Sequence, residues 1–397
     1  MTVIPDILTW ARDTAGLTPD EAARALGFSD TRNRSASQRL QALEGGHEEP
    51  SRSVLVKMAK AYRRSLLVFY LAEPPRTGDR GQDFRTVRGA APPLYNPLLD
   101  ALLRDIRGSQ TIVRAFCEEI EPQQVDFIGS ASMNDTVGDL ANRIRKRLQF
   151  VLTDFRRQAT GELAFSYLRG KIEAAGVFAL LFGNLGSHHT SIPVETFRGF
   201  AIADPIAPFI VVNDGDVRPA WSFTALHELV HLWLGTTGVS GTNNEARVEQ
   251  YSNDVAGEIL LPADEIRTLS NLRRAPLDEV IETISTFANA RTISRPMVAY
   301  KLLRAEIISN AIWRQLADHF RREWIASRVR QKEADSSDGG PSYYVVRRHR
   351  LGNTLLDIVK RSLGEGILTH SEASQILGVK PRNVDPLLSG SLPQGKR

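Results

Sequence analysis

Residues 223–235 read FTALHELVHLWLG, and this stretch limits the fold and the chemistry of the chain more than any other part of the sequence. Its apolar residues predict a buried helix. His227 and His231 stand four positions apart, so on a helix they share one face and can bind the same metal ion. Glu228 follows the first histidine and can reach a water molecule at that ion. The alternative is a core helix with two hydrogen-bonded histidines.

A catalytic zinc site needs a third protein ligand and keeps one position open for water. Glu249, 18 residues after the second histidine and in another helical pattern, is the main candidate, and Glu245 on the same face is the alternative. Asn253 and Asp254 are expected beside the ligands, where they would orient them. Zinc lowers the pKa of its water to about 7, and Glu228 is the expected general base that takes the proton.

The first 75 residues have a helical pattern with clear start and stop signals. Thr18 followed by Glu21 is a capping-box sequence, Pro19 suits the first helical turn, and Gly27 suits the end of that short helix. A polar loop leads to a second helix that ends on a pair of glycines. Two short helices of this kind predict a helix-turn-helix domain over residues 1–75.

In a helix-turn-helix domain the second helix enters the major groove of double-stranded DNA, so its polar residues are candidates for base and phosphate contacts. The candidates are Arg34, Ser37, Gln38, Arg39 and Gln41. The alternative is that this domain binds protein, by dimerising or by docking on another repressor. Residues 1–75 carry ten basic and nine acidic side chains, and this near balance keeps the alternative open.

The rest of the chain divides into a linker with the motif DFR (76–96), a main domain (97–334), a polar flexible linker (335–342) and a basic helical C-terminal domain (343–397). Three short apolar runs in the main domain predict strands at 176–182, 197–203 and 208–213. The expected fold class is therefore α+β and mainly helical, with a small β-sheet directly before the HELVH helix.

The C-terminal residues raise a separate question about partners. From Ser342 onward there are nine Lys or Arg against four Asp or Glu. Such an excess attracts nucleic acid or an acidic protein, or it is simply a solvated face. The segments LTPDEAARALGF (17–28) and LTHSEASQILGV (368–379) align without gaps, which predicts a second capped helix and turn. That unit is either a second helix-turn-helix-like element or a dimerisation element.

Composition narrows the class of protein. The single cysteine, Cys117, excludes an internal disulfide framework and a Cys-rich zinc finger, and it suits a reducing compartment. No apolar run reaches the roughly 18 residues of a membrane-spanning helix, and the N-terminus has no secretory signal pattern. We therefore expect a cytoplasmic protein without a membrane partner.

Several polar residues outside the HELVH helix are weaker candidates for the site. His188 and His189 occur together in a loop, where they line a substrate cleft or are merely exposed. Arg198 lies in a predicted strand whose edge could pair with an extended peptide, which would place it near the cleft, and a surface ion pair is its alternative role. Tyr251 and Tyr300 are candidate phenolic donors to a tetrahedral intermediate.

Two resemblances to known families follow from these motifs. The N-terminal domain of residues 1–75, called the head below, resembles XRE-type (phage-repressor-like) DNA-binding domains. The matching residues are Leu40, Leu43, Glu44, Gly46, Pro50 and Leu55. The HELVH helix, SNDVAGEILLP, FRGFAIADPIAPFIVVN and DFR are together similar to the ImmA/IrrE family of metallo-endopeptidases, over about residues 83–310. The resemblance implies a gluzincin-like zinc peptidase core, with His227, His231 and Glu249 as zinc ligands and Glu228 as general base.

The resemblance also implies a role and partners. Members of that family cleave helix-turn-helix repressors or antitoxins and so release a stress, mobile-element or defence programme. The expected partner is a co-encoded protein of this kind, and double-stranded DNA and a second copy of the chain are further expected partners. The alternative function is a DNA-binding regulator or toxin-like interaction protein with a non-proteolytic zinc site. An intact Glu228 favours the enzyme, because a structural site needs no base beside its ligand.

Overall fold

The computed structural model describes residues 3–75, 96–120, 124–236, 243–334 and 342–390, without the side chains of His188, 243–245 and 328–334. Within these residues the chain has 18 α-helices and one three-stranded sheet. This confirms the predicted mainly helical α+β class. Both linkers, including the DFR motif, lie outside the described residues apart from Asn96 and Ser342. Contacts divide the chain into two compact units, which meet in sequence within one helix, between residues 105 and 106.

The N-terminal unit is a small helical bundle. Its elements are α1 (Pro5–Thr14), α2 (Pro19–Ala25), α3 (Ala36–Glu44), α4 (Arg52–Ala61), a 3-10 turn (Leu66–Tyr70) and the beginning of α5 (Pro97–Ile120). Apolar residues from all four short helices and the turn form one core, which contains Ile7, Leu26, Leu40, Met58 and Phe69. The charged pair Arg12–Glu44, with 2.8 Å between Nε and Oε1, joins α1 to the end of α3.

The capping box predicted at Thr18 is present in this unit, and a second one, which was not predicted, begins α3. Thr18 Oγ1 accepts from the backbone N–H of Glu21, whose carboxylate accepts from the N–H of Thr18. Ser35 and Gln38 form a second capping box at the start of α3. The segment between α2 and α3 covers residues 26–35, which is longer than the three- or four-residue turn of a standard helix-turn-helix.

The second unit contains the sheet and the HELVH helix. Its elements before the C-terminal helices are the rest of α5, α6 (Val137–Leu148), α7 (Leu152–Arg156), α8 (Gly161–Ala174), β1 (Phe178–Leu181), a 3-10 turn (His188–Thr190), β2 (Gly199–Ile202), β3 (Phe209–Val212), α9 (Arg218–Trp233), α10 (Asn243–Leu260), α11 (Ala263–Arg267), a 3-10 turn (Ser270–Arg274), α12 (Leu277–Asn289), α13 (Arg295–Arg304) and α14 (Asn310–Ala334). The three predicted strands are thus confirmed, with shorter bounds.

The sheet has the order β1-β3-β2, with β1 parallel and β2 antiparallel to the central strand β3. Every residue of the three strands is buried, as expected for a short sheet covered by helices on its faces. Helix α9 packs on β2, β3, α8 and α10, and nearly all of its residues from Ala220 to Trp233 are buried. The HELVH helix is therefore the central element of this unit.

The C-terminal helices belong to the same unit as the sheet. They are α15 (Tyr343–Leu351), α16 (Asn353–Gly364), α17 (His370–Leu377), a 3-10 turn (Pro381–Asn383) and α18 (Val384–Ser389). The predicted likeness to the head is confirmed locally, because Thr369 and Glu372 form a capping box and Gly378 ends α17 with φ of 58°. No helix within the described ranges is both long and apolar enough to span a lipid bilayer.

Candidate metal centre

Two helices bring the three predicted metal ligands together. His227 and His231 lie one turn apart on α9, and Glu249 comes from α10, which packs against α9. One ligand atom from each residue lies within 4.8 Å of the other two. The Nε2 atom of each histidine is 3.7 Å from a carboxylate oxygen of Glu249. The group could therefore hold a metal ion, with two imidazoles and one carboxylate as donors.

The spacing suits a bound cation better than direct hydrogen bonds. A separation of 3.7 Å exceeds the usual 2.7–3.2 Å of N–H···O bonds. Two ligand atoms that each lie about 2.0–2.1 Å from a tetrahedral zinc ion are roughly 3.3 Å apart. A small inward movement of side chains would close that difference. The donor set and its dimensions fit zinc.

Glu228 lies beside the ligands in a tightly filled place. Glu228 as a whole residue is 3% exposed, and His227 and His231 are 5% and 3% exposed. The first residue of β2, Gly199, lies directly against it: a Cβ added at Gly199 would be 3.0 Å from both Cγ and Oε1 of Glu228. No pattern in the sequence indicates this contact, because it depends on how β2 crosses α9.

After Gly199, Thr236 is the second residue of the site that the sequence patterns do not indicate. It lies just after the end of α9. Its hydroxyl oxygen lies 3.0 Å from Nδ1 of His231 and also donates to the backbone carbonyl of His231 over 3.3 Å. A hydroxyl five residues after a histidine, at a helix end, is a weak signal in sequence alone. In the structure it fixes the ring nitrogen that faces away from Glu249.

Of the two residues expected beside the ligands, Asp254 has other contacts. Asp254 accepts hydrogen bonds from Tyr300 (2.8 Å) and Arg304 (2.8 and 3.1 Å) on α13, which hold α10 in place. Asn253 is half-buried on α10, and its role stays a prediction. The alternative ligand, Glu245, has its side chain outside the described residues.

The remaining candidates near the site are held by local contacts. Tyr251 donates to the carbonyl of Asp135 over 2.9 Å, and burial is the main cause that raises the pKa of its phenol. Arg198 makes the ion pair that was its alternative role, with Asp216 at 3.0 Å. His189 is exposed, and the side chain of His188 lies outside the description.

The only cysteine is no alternative nucleophile. Cys117 lies on α5, and burial raises the pKa of its thiol to about 11. The thiol is therefore protonated at neutral pH, whereas a nucleophilic cysteine needs a lowered pKa. The histidine and glutamate cluster remains the candidate for chemistry among the residues that the structure describes.

The residues of the head that were predicted to contact DNA differ in their exposure and in their contacts within the protein. Gln41 is exposed on α3, Ser37 is half-buried, and Arg34 forms an exposed ion pair with Glu48. The side-chain oxygen of Gln38 accepts the N–H of Ser35 in the capping box. Arg39 places its guanidinium 4.9 Å from the centre of the Phe28 ring. Gln41 has the most freedom to face a partner; base contact by this helix stays a prediction.

Comparison with known proteins agrees with this geometry. Residues 184–303 match the profile of the IrrE N-terminal-like domain of peptidase family M78. That segment includes β2, β3 and helices α9 to α12 and nearly all of α13, and so it contains all four residues of the HELVH and Glu249 cluster. The comparisons with curated proteins and with solved structures gave no match. Through residues 184–303 the chain resembles the ImmA/IrrE family, whose members are typically metal-dependent peptidases.

Proposed function

We propose that this protein is a zinc-dependent endopeptidase of the HExxH type. The observation that carries the proposal is the convergence of His227, His231 and Glu249 within 4.8 Å, with Glu228 on the same buried helix turn. A purely structural zinc site is closed by four protein ligands, whereas a catalytic site has three and an open position. Within the described residues, three groups of the cluster are candidate ligands, which favours the catalytic type.

The chain's own residues have distinct roles in this proposal. Zinc, when bound, supplies Lewis acidity and makes water ionise near neutral pH. Glu228 accepts a proton from the attacking water and returns it to the leaving amine. General acid–base catalysis of this kind raises the rate by about 10²–10⁴-fold. Its burial beside Gly199 fixes where the carboxylate points.

Strand β2 is the proposed binding edge for the substrate. It lies at one end of the sheet order, so its outer side has no partner strand among the described strands. An extended peptide that adds to β2 would pass Glu228, because Gly199 at the start of β2 contacts that residue. The strand residues are buried, so the peptide has to displace what covers them. Such a site is selective and does not degrade proteins at random.

The proposed substrate is a helix-turn-helix repressor or antitoxin encoded beside this protein. Its cleavage would derepress a stress, mobile-element or defence programme in the cytoplasm. The helical head is the proposed means of reaching that partner, by binding double-stranded DNA, the partner itself or a second copy of the chain. Gln41, which is exposed on α3, and the near-neutral charge of residues 1–75 support either kind of partner.

Co-expression with the neighbouring helix-turn-helix protein tests the proposal. Glu228→Gln keeps the size of the side chain and removes the base, so cleavage should fall by at least about 100-fold while zinc content stays at one ion per chain. Glu282→Gln makes the same change at an exposed position of α12 and should cleave like the wild type. Removing zinc with a chelator should abolish cleavage.

The outcome separates the peptidase from its alternative. Cleavage by wild type and Glu282→Gln but not by Glu228→Gln establishes the enzyme. Equal behaviour of all three proteins, with zinc bound and the neighbour intact under inducing conditions, would overturn it and leave a regulator with a non-proteolytic metal site. A gel-shift assay with the intergenic DNA, using Gln41→Ala as the variant, tests the head separately.

A further inference from the structure

The end of helix α9 is built so that one hydroxyl contacts a proposed metal ligand. Thr236 donates its backbone N–H to the carbonyl of His231 over 3.1 Å, and its hydroxyl lies near the same carbonyl and near Nδ1 of the ring. The residue is therefore attached at two points to the last turn of the helix. This position leaves the side chain little freedom to turn elsewhere.

The backbone around Thr236 is held by a neighbouring segment. Gly129 and Ala131 donate their N–H groups to the carbonyls of Leu232 and Trp233, over 3.0 and 2.9 Å. Gly235 has a φ of 65°, and a Cβ there would be 2.9 Å from Cα of Gly129. Glycine is needed at such a close approach in the left-handed region. The helix end, and Thr236 with it, is thus fixed before any ligand binds.

The hydrogen bonds at Thr236 select one form of the histidine ring. A hydroxyl has a single proton, so when Thr236 donates that proton to the carbonyl of His231 at 3.3 Å, its oxygen can only accept at Nδ1. The 3.0 Å contact with Nδ1 is then a bond in which the ring N–H donates to the hydroxyl oxygen. With its proton on Nδ1, a neutral imidazole presents the lone pair of Nε2. Nε2 is the atom that faces Glu249 at 3.7 Å.

We propose that Thr236 is a positioning residue for the metal centre, and that its hydroxyl fixes the tautomer and the ring orientation of His231. The inference rests on the proposed metal site and concerns how tightly the site binds zinc. Outer partners of this kind, when lost, typically reduce metal affinity by about 10–100-fold. Thr236 does not touch the reacting atoms, so its effect is expressed through His231.

Zinc affinity, measured by competition with a chromophoric chelator, tests the proposal without any substrate. Thr236→Val keeps the shape and removes the hydroxyl, and it should weaken zinc binding by about 10–100-fold. Thr236→Ser restores the hydroxyl and should bind within about threefold of the wild type, far less than the loss expected without an outer partner. Ser222→Ala is the matched control, because it removes a buried hydroxyl from the same helix that has no hydrogen-bond partner among the described residues.

Two further readouts distinguish positioning from general damage. The ¹⁵N signals of the His231 ring should report the Nδ1–H tautomer in the wild type and in Thr236→Ser, and a mixture of tautomers in Thr236→Val. The urea midpoint of the metal-free protein should be nearly equal for the Val and Ser variants. Equal zinc affinity of Thr236→Val and wild type, or an equal loss in the Ser variant, would overturn the proposal. Either result is independent of whether the protein cleaves a partner.

Discussion

Gly199 offers a direct test of how the carboxylate of Glu228, the proposed general base, is placed. In Gly199→Ala the new Cβ would lie 2.7 Å from Cγ2 of Thr224 and 3.0 Å from Cγ and Oε1 of Glu228. Non-bonded carbon atoms prefer about 3.5–4.0 Å, so these neighbours must move by roughly 0.5–1 Å. The residue lies in a strand and is not among the glycines with positive φ. The substitution therefore acts through space alone, and backbone strain plays no part.

The expected consequence is a loss of rate without a loss of metal. A misplacement of about 1 Å in a catalytic group costs on the order of 100-fold in rate, which corresponds to about 2.7 kcal/mol of activation free energy. The atoms crowded by the new methyl group belong to Thr224 and Glu228, so zinc affinity should stay within about threefold, well below the loss seen when an outer partner of a ligand is removed. We expect kcat to fall by about 10–100-fold and KM to change little.

Single-turnover cleavage of the partner protein gives the rate of the chemical step, and the zinc content of the same sample shows whether the metal is retained. Gly170→Ala is the matched control, because a Cβ at this position of α8 meets no atom within 4 Å. That variant should cleave normally and be slightly more stable, since alanine is favoured over glycine inside a helix. The reasoning fails if Gly199→Ala cleaves within twofold of the wild type, or if it loses activity only by losing zinc.

Three other predictions concern stability. Burial raises the pKa of Glu265, but hydrogen bonds and charges from Arg156 and Arg291 outweigh it and hold that pKa below its usual range. The ionised Glu265 therefore stabilises the folded protein. This stabilisation is present above the unfolded pKa of about 4.3 and is lost as the pH falls through the folded value. Glu265→Gln should therefore lower the urea midpoint at neutral pH and reduce its decline in acid, and an unchanged pH profile would contradict this. Thr369→Ala should lower the free energy of unfolding by about 1 kcal/mol, and Thr369→Ser should not; equal values for both would show that the capping box contributes nothing. Zinc at 100 times its Kd should stabilise the wild type by about 2.7 kcal/mol, and His227→Ala should abolish that shift in thermal unfolding.

The parts of the site that follow from local spacing could be predicted from sequence. His227 and His231 share a face because the helix repeat requires it, and the helix itself is indicated by its apolar residues. The capping boxes at Thr18 and Thr369 are also local, and the structure has both. Helix-face pairs and capping boxes, which span three or four residues, are fixed by backbone geometry and leave a recognisable pattern.

Contacts between distant segments could not be predicted in this way. The approach of Gly199 to Glu228 depends on the crossing of β2 and α9. Asp254 is a clear example, since we expected it beside a histidine and found its hydrogen bonds directed to Tyr300 and Arg304 on α13. A short polar side chain on α10 can face either neighbour, and only the packing of α13 decides between them.

The exposed positive surface of the C-terminal helices could not be predicted from a count of charges, because it too depends on contacts between distant segments. The sequence indicates a basic segment there, yet three of its arginines have internal partners. Arg347 donates to the carbonyl of Leu377, Arg348 to that of Leu387, and Arg350 pairs with Asp214 at 2.7 Å. A guanidinium that satisfies helix-end carbonyls or pairs with a half-buried carboxylate is a structural group. A net charge summed over a segment therefore overstates the positive surface that an acidic partner could meet.

The burial of the site explains how such a peptidase could be restrained. A substrate atom has to come within about 2.6–3.2 Å of Glu228 for proton transfer, but Glu228 is 3% exposed and β2 is buried along its length. Of the four residues, Glu249 has the most accessible side chain, 21% exposed, so solvent approaches from α10. Productive binding then requires an opening of the site, and an open state populated at 1% weakens the apparent affinity of every substrate by 100-fold. A partner that offers additional contacts to other surfaces of the chain can compensate for this loss, whereas an unrelated protein cannot. Selectivity in this proposal therefore arises from the free energy of opening as much as from the shape of the cleft.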